Sequence, residues 1–199
     1  AAFEDGRWSK LAPAARKAVM HYTQTKNIPG VGIEDIYLGN GVSELIVMAM
    51  QGLLNNGDEV LIPAPDYPLW TASVSLSGGK PVHYLCDEQS DWYPDIEDIR
   101  SKITPNPRAM VVINPNNPTG RLIPADELRA FTKEASKKAT VLIDEAYREF
   151  VDPAFGDPVH DLLPEFPNVV VSRSMSKAYG LAGLRVGYLV ADPAVVTEV

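Results

Sequence analysis

Five polar motifs each follow a short apolar run that predicts a β-strand. They are GNGVSE at 39–44, PDYP at 65–68, NPNNPTG at 114–120, DEAY at 144–147 and SRSMSK at 172–177. In an open α/β sheet, ligands bind in the crevice outside the carboxyl ends of the strands. Five such motifs at five strand ends therefore predict one binding crevice to which all of them contribute.

The glycine turn from Gly39 to Gly41 precedes a predicted helix that begins near Ser43. The free N–H groups and the positive dipole end of such a helix form an anion site, most naturally for a phosphate. An ordinary strand-turn-helix junction in which Ser43 caps the helix accounts for the same residues. A pair of glycines is a weak signal, so both interpretations stay open on these residues alone.

Asp144 ends the apolar run 141–143. A carboxylate at the end of a buried strand is costly unless it is paired, so Asp144 is expected to need a cation. The NNPTG turn explains its own proline and glycine, but a turn does not require Asn117, whose amide can reach the crevice as a donor. Tyr147 either presents its hydroxyl to the same crevice or packs as an ordinary aromatic residue.

Lys177 follows the apolar run 169–171 and precedes the glycine-rich segment 180–187. A lysine in this position is either a solvated surface charge, the commoner fate of the residue, or an amine held for covalent catalysis. Arg173 and Arg185 are close in sequence, and their charges are expected to repel a charged amine and favour the neutral nucleophile.

These motifs need a sheet to bring them together, and the hydrophobic pattern predicts one. Strands are predicted at 36–38, 59–62, 82–85, 109–113, 140–143, 169–171 and 187–190. Helices are predicted at 13–26, 43–54, 69–77, 96–102 and 125–138, with another starting after Pro193. Strands that alternate with helices imply crossover connections. The predicted fold is a three-layer α/β fold, with a mostly parallel seven-stranded sheet and helices on both faces.

Composition limits the function classes. Of the 199 residues 45% are hydrophobic, which is enough for a sizeable core, and the net charge is −8 without a basic run. This balance argues against nucleic acid and against a membrane as partners, and we expect a soluble, cytoplasmic protein. The single cysteine, Cys86, is expected to be a small buried hydrophobic residue. The histidines lack metal-ligand spacing, so no metal site is predicted.

The ordered set of motifs resembles the fold-type I pyridoxal-phosphate-dependent aminotransferases of class I/II. The residues that carry the resemblance are Gly41-Val42-Ser43, Tyr67, Asn117-Pro118-Thr119-Gly120, Asp144 with Tyr147, Ser174-Met175-Ser176-Lys177, and Arg185. Each motif is weak alone, but the set is specific, and it extends from about Leu11 to the end of the chain. The resemblance implies pyridoxal 5'-phosphate as cofactor, an amino acid and a 2-oxo acid as substrates, and a homodimer for the full-length family.

The resemblance also implies a role for each residue. Lys177 is the Schiff-base lysine, and Asp144 pairs with the protonated pyridine nitrogen. Asn117 and Tyr147 bond the phenolic oxygen of the ring, and Tyr67 stacks on the ring face. The phosphate is held by the turn at Gly41 and by Val42, Ser43, Ser174 and Arg185, with Ser172 as a less certain neighbour.

This sequence departs from the family in two places. Family members carry a C-terminal small domain whose arginine binds the substrate α-carboxylate, and an N-terminal arm whose tyrosine reaches the partner's phosphate. Neither has a match in this sequence, and residues 1–10 contain no tyrosine. We therefore expect residues 1–199 to be the cofactor-binding large domain, which binds the cofactor and transaminates weakly or not at all.

Two sub-branches of the family are represented. Up to about Gly120 the sequence resembles the bacterial alanine/valine-pyruvate type, and from about Leu142 it resembles the histidinol-phosphate and aromatic type. This change suggests the hypothesis of a recombined or designed chain.

Two other functions stay open, because the cofactor residues do not fix which bond to the substrate Cα breaks. They are a lyase or decarboxylase of the same fold and a non-catalytic cofactor-binding module.

Overall fold

Short runs of valine, isoleucine and leucine build the central sheet. A computed structural model of the chain describes residues 13–26, 30–105, 107–157 and 159–196, so the expectation for residues 1–10 lies outside it. The strands are β1 (Ile36–Asn40), β2 (Glu59–Ala64), β3 (Lys80–Asp87), β4 (Tyr93–Pro94), β5 (Pro107–Ile113), β6 (Thr140–Asp144), β7 (Val169–Ser174) and β8 (Val186–Ala191). The three-layer α/β prediction is confirmed, with one strand more than predicted.

The strand order is β1-β8-β7-β6-β5-β2-β3-β4. Strands β3, β2, β5, β6 and β7 pair in parallel, whereas β8 lies antiparallel between β7 and β1, and β4 lies antiparallel at the other edge. The additional strand is β4, whose two residues are too few to show an alternation. The carboxyl ends of β2, β5, β6 and β7 therefore meet at one edge of the sheet, where β8 begins.

Helices cover both faces of the sheet. They are α1 (Pro13–Thr25), α2 (Val42–Leu53), α3 (Leu69–Leu76), α4 (Ile96–Lys102), α5 (Ala125–Ala135), α6 (Val159–Glu165) and α7 (Pro193–Val196). The predicted helices are present with small changes at their ends, and α6 was not predicted. Across the part of the chain that the structure describes, no helix is both long and apolar enough to cross a membrane.

Side chains of successive strand residues enter two different cores. Val60 and Ile62 of β2 pack with the residues of α2 and α3, whereas Leu61 between them packs with those of α4 and α5. Side chains that alternate between two cores are typical of a strand whose two faces are both covered. Cys86 is buried in β3, as predicted. The alternation decides which polar residues at the strand ends can share a site.

Gly187 allows the turn before α2 to lie against β8. It pairs with Gly39 of β1. A Cβ atom at Gly187 would lie closer than 3.0 Å to backbone atoms of Gly41 and Val42. Only a residue without a side chain fits between the start of β8 and this turn.

We expect the Gly187→Ala variant to lower the free energy of unfolding by about 1–3 kcal/mol, because the backbone of the neighbouring turn must shift. The matched control is Gly183→Ala, since a Cβ atom there meets no atom within 4 Å. Urea unfolding of both variants measures the difference. Equal stability of the two variants would contradict the close packing described for Gly187.

Candidate active site

A cavity of about 200 Å³ opens at the carboxyl edge of the sheet. The site residues predicted from the sequence line it, except Gly41, which immediately precedes α2, and Ser172, the less certain neighbour. The predicted residues in its wall are Val42, Ser43, Tyr67, Asn117, Asp144, Tyr147, Ser174, Lys177 and Arg185. The five motifs therefore meet at one cavity, and the chemistry of their side chains can be considered together.

Asp144 is the buried charge of this cavity, with only 3% of its surface exposed. Oδ1 accepts hydrogen bonds from Ser172 Oγ at 3.2 Å and from the Ala146 N–H at 3.1 Å, and Oδ2 accepts one from Trp70 Nε1 at 3.0 Å. Burial raises the pKa of Asp144, although these hydrogen bonds oppose the shift. Among the described residues no cationic side chain forms an ion pair with it, so the cavity contains a buried carboxylate whose charge these side chains do not neutralise.

The first turn of α2 forms a second polar wall. The helix begins at Val42, after Gly41 with a φ of 77°, and no side chain caps it. Ser43 is therefore the second helical residue, and the alternative prediction that Ser43 is the N-cap is wrong. Unbonded N–H groups and the dipole at the start of a helix attract anions.

Arg185 brings a positive charge to the same helix end. Its carbonyl accepts the N–H of Gly41 at 2.7 Å, and a Cβ atom at Gly41 would collide with its guanidinium group. Arg185 has a φ of 53°, in the left-handed region that L-residues other than asparagine and aspartate seldom adopt. Such strain is common at ligand sites, and here it places a guanidinium beside an uncapped helix.

Asn117 and Tyr147 bring two polar groups to one point. The Nδ2 atom of Asn117 lies 3.5 Å from the hydroxyl of Tyr147. The turn itself is held by Asn116, whose Oδ1 accepts hydrogen bonds from the N–H and the hydroxyl of Thr119. Because Asn116 makes the turn, the amide of Asn117 is available to a ligand in the cavity.

Lys177 is exposed at the cavity mouth, and its Nζ lies 5.3 Å from the ring centre of Tyr147. The loop that carries it is closed by hydrogen bonds from the Gly180 N–H to the Lys177 carbonyl at 3.0 Å and from the Leu181 N–H to the Met175 carbonyl at 3.1 Å. The amine is thus held on a short loop that begins where β7 ends.

Arg173 points away from the cavity, so the predicted repulsion between Arg173 and Lys177 is wrong. Its guanidinium is buried, and it donates to Glu145 Oε2 at 2.9 and 2.6 Å and to Asp157 at 2.9 Å. The alternation of β7 sends Ser172 to one face and Arg173 to the other. Ser172, given as a less certain phosphate neighbour, instead donates to Asp144.

Trp70 contacts Asp144 from behind the cavity wall, and this contact was not predicted from the sequence. Trp70 lies in the first turn of α3 and is 2% exposed. In the sequence it reads as a core aromatic residue. One signal was available in the sequence: a tryptophan in the core needs a hydrogen-bond acceptor for its indole N–H, because a buried indole N–H usually has one.

Comparisons with known proteins agree with this geometry. The family profile described as "Aminotransferase class I and II" matches residues 9–199, and the chain belongs to that family. It is 51% identical to glutamate-pyruvate aminotransferase AlaA of Escherichia coli (strain K12) over 184 residues, which are 92% of this chain and 45% of the relative. The chain thus spans about half the length of the curated relatives it matches.

Two further relatives show the same family. The crystal structure of an aminotransferase from Escherichia coli has a TM-score of 0.80 and 47% identity, covering 93% of this chain and 48% of that one. Histidinol-phosphate aminotransferase of Ruminiclostridium cellulolyticum is 37% identical over 160 residues, which are 80% of this chain and 43% of the relative. Relatives of both predicted sub-branches are therefore found, and the hypothesis of a recombined chain stays a prediction.

The raised pKa of Asp144 makes stability depend on pH. At pH values between the pKa of Asp144 in the unfolded chain and its pKa in the folded chain, the folded chain holds more protons than the unfolded chain. The free energy of unfolding therefore falls as the pH rises. We expect Asp144→Asn to lose less stability than the unchanged chain from about pH 4 upward. Urea unfolding of the cofactor-free proteins over a pH series measures this.

The control for this prediction is Glu88→Gln, which removes an exposed carboxylate outside the cavity. It is expected to keep the slope of the unchanged chain. Identical slopes for Asp144→Asn and the unchanged chain would show that Asp144 does not titrate differently in the folded state.

Proposed function

We propose that this chain is the pyridoxal-phosphate-binding part of an amino-acid aminotransferase. The observation that carries the proposal is a buried carboxylate, Asp144, that lacks a counter-ion among the described residues and lies in the same cavity as the amine of Lys177. Because AlaA is named for glutamate and pyruvate, we propose that the whole protein transfers an amino group between these two compounds. The homodimer that the resemblance implies stays a prediction.

The residues of the cavity fit the proposed cofactor group by group. Asp144 would pair with a protonated ring nitrogen, and Lys177 offers the amine for the aldehyde. The phenolic oxygen would be bonded by Asn117 and Tyr147, and the ring face would be covered by Tyr67. The phosphate would lie at the start of α2, with Val42, Ser43, Ser174 and Arg185 around it.

Because the chain as a whole carries a net charge of −8, a bound phosphate would have to be held by positive groups in direct contact with it. Arg185 offers two parallel N–H donors to a phosphate, which a lysine does not. The N-terminus of α2 adds the partial positive charge of its dipole, typically equivalent to roughly half an elementary charge. Together they offset part of the phosphate charge in an otherwise acidic protein.

The chemistry divides between the cofactor and the chain. When bound, the cofactor supplies an electron sink that stabilises negative charge at the substrate Cα. Asp144 keeps the ring nitrogen protonated by holding a negative charge beside it. The amine of Lys177 takes the proton from the substrate Cα, and a positioned base of this kind typically accelerates a reaction by about 10²–10⁴-fold.

We expect pyridoxal phosphate to attach to Lys177. Incubation with the cofactor followed by borohydride reduction should give one labelled peptide that contains Lys177, found by mass spectrometry, and a visible absorbance band before reduction. Lys177→Ala should lose both signals. Lys137→Ala, which removes an exposed lysine paired with Glu134, should keep them, and their absence in the unchanged chain would refute the cofactor assignment.

The 199 residues alone are expected to show only trace transamination. They cover 45% of the length of AlaA, so groups that such a relative contributes from its remaining length are not among them. Incubation with glutamate and pyruvate, with alanine measured by chromatography, tests this. Rapid alanine formation would refute the expectation of weak activity, and release of a carbon dioxide or elimination product would instead favour the lyase or decarboxylase alternative.

A further inference from the structure

The indole of Trp70 contacts Asp144 on the side that the other two donors leave open. Oδ1 of Asp144 already accepts hydrogen bonds from Ser172 and from the Ala146 N–H. Among the described residues, Oδ2 accepts only the indole N–H of Trp70, at 3.0 Å. A carboxylate has about four lone-pair sites, two on each oxygen, so Oδ2 keeps one acceptor site for a further donor.

We propose that Trp70 is a positioning residue for the cofactor: its indole N–H orients Asp144 so that Oδ2 faces the ring nitrogen, and it stabilises the ionised carboxylate there. This inference rests on the proposed function. Trp70 acts through Asp144 and has no role in the reacting bonds.

The chemistry of the indole suits this role. Its N–H is only a donor and does not titrate, so it stabilises the ionised carboxylate without cancelling the charge. An arginine or lysine in the same place would neutralise Asp144 and weaken its attraction for a cationic ring nitrogen. A tryptophan therefore donates a hydrogen bond to the carboxylate without neutralising it, so the full negative charge of Asp144 can attract the ligand.

The packing of Trp70 makes its donor rigid. The ring packs in the core with residues of α2 and of the sheet, and the backbone N–H of Trp70 donates to the carbonyl of Tyr67 at 3.0 Å. One short segment thus places both Tyr67, proposed for the ring face, and the donor that orients Asp144. The two contacts with the cofactor ring are coupled through the start of α3.

The other titratable groups near Asp144 do not replace this contact. Lys177, Arg185 and Tyr147 line the same cavity, and none of them bonds to Asp144 in the described part of the structure. On the opposite face Glu145 and Arg173 form an ion pair with each other. A change at Trp70 is therefore expected to act on Asp144 first.

The first test uses the cofactor-free protein and compares Trp70→Phe with Tyr84→Phe. Both variants remove one buried donor, but Tyr84 donates to the neutral carbonyl of Val111 at 2.8 Å. Urea unfolding over a pH series should show that Trp70→Phe loses more stability as the pH rises. We expect the titration midpoint assigned to Asp144 to rise by about one pH unit.

Tyr84→Phe should lose the same stability at every pH below about 9, the range in which the tyrosine hydroxyl keeps its proton. A loss for Trp70→Phe that is equally independent of pH would overturn the proposal, because it would mean that the indole contributes only packing. This outcome does not depend on cofactor binding, so it separates the inference from the proposed function.

The second test measures pyridoxal phosphate binding from the visible band as a function of pH. Trp70→Phe should bind about tenfold more weakly at low pH, where Asp144 of the cofactor-free protein is neutral and has to ionise beside the ring nitrogen without the indole donor. It should bind nearly normally at alkaline pH, where the cofactor-free variant already carries the cost of the unsupported carboxylate. Unchanged affinity at every pH would overturn the inference while the proposed function stands. If the unchanged chain binds no cofactor, the proposed function fails and the inference fails with it.

Discussion

The structure depends on one unfavourable feature, a carboxylate at the end of a buried strand that no cationic side chain of the described residues neutralises. Asp144 is held there by donors from α3, from β7 and from the turn that follows β6. Three separate parts of the fold thus converge on one side chain whose burial costs stability. Natural proteins break the rules of burial mainly at functional sites, and under the proposed function a cationic ring nitrogen would offset this cost.

The period of two along the strands separates two kinds of charge. On one face at the ends of β6 and β7, Asp144 lines the cavity and accepts a hydrogen bond from Ser172, whereas on the other face Glu145 and Arg173 form an ion pair that also holds Asp157. This ion pair ties the ends of the two strands together, although Oε1 of Glu145 is buried without a hydrogen-bond partner among the described residues. On the cavity face, the charged side chains are not paired with one another in the described part of the structure. They can therefore bind a ligand that carries both a cationic ring and an anionic phosphate.

Much of the fold and of the cavity wall could be predicted from the sequence, because hydrophobic period and turn residues are local signals. The parts that could not be predicted have physical reasons. Strand β4 has two residues, and α6 contains Pro164, which interrupts a helical pattern. Arg173 was expected to repel the amine of Lys177 because the two are close in sequence, although the strand alternation turns Arg173 to the other face. The contact of Trp70 joins residues 74 positions apart, and burial alone does not reveal a partner.

The close fit of Gly187 against Gly41 and Val42 means that three positions cannot vary independently. Gly41 and Arg185 are far apart in the sequence, yet they share a hydrogen bond, and the guanidinium of Arg185 occupies the space that a Cβ atom at position 41 would need. A side chain at position 41 therefore has to displace the guanidinium, and a side chain at position 187 has to move the turn that Arg185 holds. The wall at the start of α2 is thus one unit made from two distant parts of the chain, and a change in either part has to be matched by a change in the other.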